Sequence, residues 1–104
     1  MDDRLLERHA DELSALGHPV RLAILRLVVE AGPEGVTTTE VQTTLDVPWT
    51  TLNHHLDRLV ATGLVLARRE GKRALHTADY AALKKLTDFL WKDCCNSGRK
   101  SGCC

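Results

Sequence analysis

The chain has 104 residues, of which 43% are hydrophobic, and its 14 lysines and arginines balance 14 aspartates and glutamates. A chain of this length forms one domain with a modest core, which oligomerisation often completes. Its apolar runs are all shorter than the ~18 residues of a membrane span, and the zero net charge does not by itself indicate a nucleic-acid partner. Residues 68–73 nevertheless hold four bases and one acid, so this short segment is either a solvated turn or a local phosphate-binding tip.

Two amphipathic helices are predicted in the first third of the chain. The apolar positions of the first helix repeat at helical spacing: Leu5, Leu6, His9, Leu13 and Leu16. Gly17 ends this helix and Pro19 begins the next one, which runs to Gly32-Pro33. The second helix has its own apolar stripe: Val20, Ala23, Ile24, Leu27 and Val28. The charged start of the chain lacks the apolar segment of a signal peptide, which predicts a cytoplasmic protein with reduced thiols.

The central part of the sequence predicts a helix-turn-helix. Thr37 and Glu40 have the spacing of a capping box, so a short third helix should run from Thr37 to about Leu45. A turn follows, and Pro48 lies near the start of a fourth helix that ends at Gly63. The apolar face of this fourth helix is predicted to consist of Leu52, Leu56, Leu59 and Val60. The opposite face is predicted to consist of Trp49, Thr50, Asn53, His54, Asp57 and Arg58.

The last third predicts a hairpin and one more helix. Residues 64–69 and 74–77 flank Glu70-Gly71 as two strands, and Asp79 caps a final helix. The apolar set of that helix is Tyr80, Leu83, Leu86, Phe89 and Leu90. The predicted fold class is therefore mainly α with a small β-hairpin wing, in the element order of a winged helix-turn-helix. We expect a DNA-binding and dimerisation domain over residues 1–92 and a flexible cysteine-rich tail over 93–104.

All four cysteines fall in the last eleven residues, as the adjacent pairs Cys94-Cys95 and Cys103-Cys104. A disulfide within either pair is strained, because bridge geometry favours a longer Cα separation than neighbouring residues allow. Thiolates are soft ligands, and four of them can supply a three-sulfur or a four-sulfur metal site. The alternatives are a disulfide between the two pairs or a tail without a specific role. Spacing alone determines neither the ion nor the number of ligands.

Four stretches of the sequence together resemble the ArsR/SmtB family of bacterial metal- and metalloid-sensing repressors. They are residues 15–25, 50–59, 63–65 and 69–72, and the resemblance covers about residues 10 to 92. It implies a homodimer that occupies an inverted-repeat operator in double-stranded DNA and leaves it when an inducer binds. Apolar side chains of the first and last helices are expected to form the dimer interface: Leu5, Leu6, Leu13, Leu83, Leu86, Phe89 and Leu90.

The branch of the family that the chain resembles is indicated by two ligand sets that its sequence lacks. Members that sense arsenite through the third helix carry a Cys-x-Cys box there, but residues 40–46 contain no cysteine. Members that sense zinc or cobalt through the final helices use Asp and His ligands, but residues 80–92 contain no histidine. The chain is instead similar to members that bind As(III) or Sb(III) through C-terminal cysteines. This implies a three-sulfur site drawn from Cys94, Cys95, Cys103 and Cys104, with zinc or cadmium on all four thiolates as the alternative.

The resemblance also implies which residues contact DNA. Those facing the major groove are Trp49, Thr50, Asn53 and His54, and those on the backbone or minor groove are Arg69, Lys72 and Arg73. Asn53 is the best candidate for direct base readout, because an amide can bond adenine through two hydrogen bonds. His54 can contact either a phosphate or a base, and His55 is expected at the edge of the core or at an interface. Trp49 is either a groove contact or an apolar staple at the helix start.

Other classes of function explain less of the sequence. A thiol redox centre usually lies at a helix N-terminus, where the dipole lowers the thiol pKa, whereas Cys94 follows a helix C-terminus. No nucleophile and base set, phosphate loop or carboxylate pair suggests an enzyme. A metal carrier or zinc-stabilised interaction domain leaves the polar helix face and the basic wing unexplained. We therefore expect a repressor without enzymatic activity, with a thiol redox-sensing regulator as a further alternative.

Overall fold

The structure is a computed structural model that describes residues 3–93. In chain order its elements are α1 (Asp3–Leu16), α2 (Pro19–Ala31), a 3-10 turn (Gly32–Glu34), β1 (Val36–Thr37), α3 (Thr38–Leu45), α4 (Trp49–Thr62), β2 (Val65–Glu70), β3 (Arg73–Ala78) and α5 (Tyr80–Trp91). None of the helices in this described part has the length and apolar character to cross a membrane. The predicted fold class, mainly α with a small β wing, is confirmed.

The helix boundaries follow from local capping chemistry. The Thr37 hydroxyl accepts a hydrogen bond from the backbone N–H of Glu40 at 3.0 Å, as the capping-box spacing predicts. The Asp79 carboxylate accepts one from the N–H of Ala82 at 3.1 Å. At the start of α2 the imidazole Nδ1 of His18 has the same role, accepting from the N–H of Val20 at 3.2 Å. These caps satisfy N–H groups that have no partner within the helix.

The wing is a three-stranded antiparallel sheet in the order β1-β3-β2. The hairpin of β2 and β3 confirms the predicted strands, with Glu70 opposite Arg73 across a Gly71-Lys72 turn. The strand β1 was not predicted: Val36 pairs with His76. Just before it, Gly35 has a φ of +81°, and a Cβ atom there would lie 2.9 Å from the Thr77 methyl and 3.0 Å from the His76 carbonyl oxygen. Glycine is therefore required where the chain from α2 joins the sheet.

The core lies where α2, α3, α4 and the sheet meet. Its fully buried side chains include Ile24 and Val28 of α2, Val41 of α3 and Leu52 and Leu59 of α4. One assignment on α4 was wrong, because Val60 is 37% exposed whereas His55 is 9% exposed. The buried face of α4 is thus Leu52, His55, Leu56 and Leu59. A histidine in this position needs a polar partner, which the structure supplies.

The two terminal helices bury little of their predicted apolar sets. In α1 the buried residues are His9, Glu12 and Ala15, while the leucines of the predicted stripe are exposed or partly so. The His9 Nδ1 and a Glu12 carboxylate oxygen lie 2.6 Å apart, so each satisfies the other inside the fold. In α5, Leu86 alone is buried among the described residues, at 3% exposure. It therefore packs within its own chain and is not available as an interface residue, contrary to the prediction.

Candidate nucleic-acid interface

The turn between α3 and α4 is held by backbone conformation and one side chain. Asp46 ends α3 in the left-handed region, with a φ of +52°, and its N–H donates to the carbonyl oxygen of Gln42 at 2.8 Å. Aspartate tolerates this conformation better than most residues. The Gln42 side-chain amide donates in turn to the carbonyl oxygen of Val47 at 3.1 Å. The direction in which α4 leaves the turn is therefore fixed from both sides.

The first turns of α4 present polar side chains that have no hydrogen-bond partner among residues 3–93. Thr50, Asn53 and His54 are exposed, and Trp49 is 48% exposed. Within residues 3–93, the side chains of Thr50, Asn53 and His54 make no hydrogen bond to another residue. Residues three and four apart share a helix face, so these side chains form one surface at the helix N-terminus. Their donors and acceptors are free for an external partner.

Two arginine contacts anchor α4 to α1 and α2. Arg58 donates to the Asp11 carboxylate at 2.9 Å, and this hydrogen bond, together with the charge of the guanidinium, lowers the pKa of Asp11. Arg21 of α2 donates from Nη1 to the Nδ1 of His55 at 3.2 Å. The His55 ring also contacts the His18 ring, with centroids 4.5 Å apart. Two arginine contacts and the buried leucines of α4 thus hold the helix that presents the unpaired polar side chains.

The basic residues of the wing fall into two groups. Arg69, Lys72 and Arg73 are exposed and form no ion pair within the described residues. Arg68, by contrast, donates to the Glu34 carbonyl oxygen at 3.4 Å and pairs with the Glu70 carboxylate at 3.4 Å. Three cations at the wing tip are therefore uncommitted, and they are the three predicted from the sequence.

A cleft of about 430 Å³ separates the wing tip from the start of α3. It is lined by Thr37, Thr38, Thr39, Glu40, Lys72, Arg73 and Ala74. Hydroxyls and cations together suit a phosphate oxygen, whereas the Glu40 carboxylate opposes one. Thr38 and Thr39 were missed as candidate contacts, because the capping box accounts for this stretch of sequence without any ligand.

The imidazole of His76 connects the wing to the helix-turn-helix. Its Nε2 lies 2.9 Å from the Thr38 hydroxyl, and its Nδ1 is buried with no hydrogen-bond partner in the part of the chain that the structure describes. Burial lowers the pKa of His76, so the ring is neutral at pH 7. The polar contact joins the central strand to the first residue of α3, which fixes the walls of the cleft relative to each other.

The four predicted thiol ligands, Cys94, Cys95, Cys103 and Cys104, lie outside the described residues, as does almost all of the predicted tail over 93–104. The final helix ends at Trp91, three residues before the first of these cysteines. In the part of the chain that the structure covers, no group of three or more His, Cys, Asp and Glu side chains could hold a metal ion. The metal-site prediction therefore depends on the sequence alone.

Comparison with known proteins agrees with this architecture. The model of the helix-turn-helix domain family matches residues 16–68. An uncharacterised HTH-type transcriptional regulator from Methanocaldococcus jannaschii is 40% identical over 65 residues, which are 62% of this chain and 71% of that protein. The chain belongs to the helix-turn-helix family of transcriptional regulators.

Solved structures extend the likeness to the wing and the terminal helices. An ArsR-like transcriptional regulator from Rhodococcus is 26% identical with a TM-score of 0.75, covering 90% of this chain and 86% of that one. The homodimeric winged helix-turn-helix DNA-binding domain of a possible ArsR-family regulator from Mycobacterium bovis is 29% identical. Its TM-score is 0.67, and the match covers 97% of this chain and 96% of that domain. The fold is therefore that of ArsR-type winged-helix regulators.

Proposed function

We propose that this protein is a homodimeric transcriptional repressor that binds an inverted-repeat operator through α4 and the wing. The observation that carries the proposal is the exposed start of α4, where Thr50, Asn53 and His54 have no protein partner in the described structure. A recognition helix contacts base edges with its N-terminal residues, and these are the residues left free. The winged-helix neighbours named above, one of them a DNA-binding domain, support the same conclusion.

In this proposal the contacts with DNA divide by chemistry. Asn53 reads a base edge, since its amide can donate to and accept from adenine at the same time. Arg69, Lys72 and Arg73 bind phosphates, which positions the protein without specifying the sequence. Thr38 and Thr39 add hydroxyl donors at the cleft beside the wing. The zero net charge of the chain is compatible with this, because the uncommitted cations are concentrated at one tip.

Dimerisation is proposed through the exposed apolar surface of α1 and α5. Leu5, Leu6 and Leu13 are 39–44% exposed, and Leu90 and Trp91 are 55% and 62% exposed. The Mycobacterium bovis domain, of the same fold, is homodimeric. A two-fold dimer places its recognition helices in two half-sites about 34–36 Å apart, which requires a palindromic operator.

The proposed inducer is trivalent arsenic or antimony bound by three of the thiolates of Cys94, Cys95, Cys103 and Cys104. One vicinal pair supplies two sulfurs, so a three-sulfur site must recruit a thiolate from the other pair or from the partner subunit. Because the tail follows α5, capture of a metalloid can change the dimer geometry and hence the spacing of the recognition helices. A coupling of about 1–3 kcal/mol reduces operator affinity about 5- to 150-fold.

The test is operator release by each candidate ion. A duplex is selected from a random library with the reduced protein, and its dissociation is followed by fluorescence anisotropy during titration with arsenite, antimonite, zinc or cadmium. The proposal expects release by arsenite or antimonite, which Cys94→Ser and Cys95→Ser abolish while leaving DNA binding intact. Release by zinc or cadmium alone would favour the four-thiolate alternative. A chain truncated after Asn96 that still responds with wild-type sensitivity would contradict the thiol sensor, and failure to select any duplex would contradict the repressor.

A further inference from the structure

The contact between α2 and the recognition helix contains a histidine at its centre. His55 is 9% exposed, and its Nδ1 faces the Nη1 of Arg21 at 3.2 Å. The guanidinium donates and cannot accept, so this hydrogen bond exists only when the Nδ1 of His55 carries no proton. The same guanidinium donates from Nε to the Ala15 carbonyl oxygen near the end of α1. Arg21 therefore joins three helices, and it reaches α4 through a titratable ring.

The groups that surround His55 are cationic or can become so. From α2 they are Arg21 and His18, whose ring centroid is 4.5 Å from that of His55, and on α4 itself the neighbour is His54. On the α1 side, the Asp11 carboxylate pairs with Arg58, three residues after His55 on α4. Burial lowers the pKa of His55, and the charges of His18, Arg21 and His54 lower it further. The ring is therefore neutral at pH 7, as the hydrogen bond requires.

The two arginine contacts that mount α4 respond differently to acid. The hydrogen bond from Arg58 lowers the pKa of Asp11 below its ordinary 3.8, so that contact persists through the mildly acidic range. Protonation of His55 instead removes the acceptor for Arg21 and places two positive charges 3.2 Å apart. His55 lies three residues before Arg58 on α4, so the titratable contact is closer to Asn53 and His54 than the fixed contact is. Loss of the Arg21–His55 contact alone shifts this part of α4 against α2, while the buried leucines and the Arg58 contact hold the rest of the helix.

We propose that Arg21 and His55 are positioning residues for DNA reading, and that protonation of His55 displaces the turn of α4 that carries Asn53 and His54 and weakens operator binding. Asn53 and His54 directly precede His55 in the same helix, so a displacement there reaches the base-reading side chains without any intermediate element. The inference rests on the proposed function, because it assigns a control to the same DNA-binding helix. It concerns specific binding; phosphate contacts made by the wing are unaffected.

The direction of the pH effect follows from the pKa. Because the folded-state pKa of His55 is lowered, the unfolded chain binds the proton more readily than the folded chain. The stability contributed by the neutral ring is fully present above the ordinary value of 6.5 and is lost as the pH falls from there through the folded pKa. A positive charge gained on the exposed, DNA-facing surface of α4 would attract phosphate and strengthen binding. A loss of affinity in acid therefore points to the buried ring of His55.

The experiment compares operator affinity at about pH 7.5 and about pH 5.5, on either side of the ordinary histidine pKa, at constant ionic strength. The wild-type protein is expected to lose about 5- to 150-fold in specific affinity on acidification, the usual range for two coupled sites. His55→Asn keeps an acceptor for Arg21 but cannot titrate, and its affinity should not weaken with acid. His54→Asn removes the neighbouring exposed imidazole and should still lose affinity in acid, by at least the wild-type factor. Equal acid loss in His55→Asn, or no acid loss in the wild type, would overturn the proposal.

A measurement without DNA keeps the test independent of the operator. In a ¹H–¹⁵N correlation titration of the wild-type protein, the amide signals of Asn53 and His54 should shift with the same midpoint as the His55 imidazole carbons. Arg21→Lys gives a shorter side chain that does not bond Ala15 and His55 together. In this variant the Asn53 amide should no longer shift with the His55 imidazole, while circular dichroism shows that the fold is retained. Titration of His55 without movement of the Asn53 amide would overturn the inference even if the protein bound DNA as proposed. If no duplex were selected at pH 7.5 while the amides shifted as expected, the proposed function would fail and the coupling would stand.

Discussion

The helices α4 and α5 are both amphipathic, yet they leave opposite kinds of surface exposed. α4 buries four side chains, two arginine contacts hold it, and its free face is polar. α5 buries one side chain, and its exposed residues include Tyr80, Leu90 and Trp91 at 44%, 55% and 62%. The Tyr80 hydroxyl donates to the Val29 carbonyl oxygen at 2.9 Å and ties only the start of α5 to α2.

This contrast distinguishes two kinds of partner. A firmly mounted helix with free donors and acceptors is suited to reading a rigid polar surface such as the major groove. A loosely mounted helix with exposed leucine and tryptophan is suited to burial against a second copy of the protein. The number of side chains that a helix buries in its own chain, and the polarity of those it leaves exposed, therefore indicate whether its exposed face suits DNA or a second protein chain.

The largest effect is expected from the buried face of α4. Leu59→Ala should lower the free energy of unfolding by about 2–5 kcal/mol, because Leu59 is fully buried and truncation leaves a cavity. Val60→Ala, one residue on and 37% exposed, is the matched control and should change it by about 0.5 kcal/mol or less. Urea denaturation of both variants at one protein concentration measures the difference. Equal destabilisation by the two substitutions would mean that the buried face of α4 is not the one described.

The next largest effect is expected on dimerisation, when a charge is introduced on the apolar face of α5. Leu90→Lys should weaken dimerisation by about 2 kcal/mol or more, the loss typical of a central interface residue. Ala81→Lys introduces the same charge about half a turn away around the helix, since nine residues at 3.6 per turn end on the opposite side. It should leave the dimer intact. Analytical ultracentrifugation at micromolar concentration distinguishes the two, and a monomeric wild-type protein would contradict the assignment of this face.

A smaller effect is expected from single cations of the wing. Arg73→Gln should weaken binding to all duplexes and reduce the slope of log affinity against log salt by about 0.9, the value for one phosphate contact. Arg68→Gln is the control, because Arg68 is already paired with Glu70 and bonded to Glu34. Its salt slope should remain that of the wild type. Similar slopes for both variants would show that the exposed cations are not phosphate ligands.

Local chemistry explains why much of this fold was predictable. The capping threonine at 37, the glycines after α4 and in the hairpin turn, and Asp79 before α5 each determine structure within four residues. The β1 strand was missed because it has two residues and its partner, His76, lies forty residues away in sequence. The apolar pattern placed Val60 in the core, but Val60 is 37% exposed, whereas His55 is buried, in line with its expected place at the edge of the core. The pattern alone does not reveal that Arg21 supplies the polar partner of His55.

The sequence predicted the exposed DNA-binding residues better than it predicted the apolar faces of α1 and α5. The polar start of α4 and the wing cations occupy exposed positions, so their sequence pattern and their structure agree. On α1 the leucines of the predicted stripe stay exposed while His9 and Glu12 are buried together, because the pair satisfies its own polar groups. On α5, Leu86 is buried within the chain, whereas Leu90 and Trp91 remain exposed, and in the proposed dimer a second chain covers them. A single sequence does not show which apolar stripe faces the chain's own core and which faces a partner.

The most direct test of the account is the base discrimination of Asn53→Ala. Affinities of the wild type and the variant are measured for the selected operator, for each of its single-base-pair substitutions and for an unrelated duplex, at one salt concentration. The variant is expected to lose about 1–3 kcal/mol of preference at one base pair in each half-site and to bind the unrelated duplex as the wild type does. Unchanged preferences at every position, or equal weakening on all duplexes, would contradict the assignment of α4 as the reading helix.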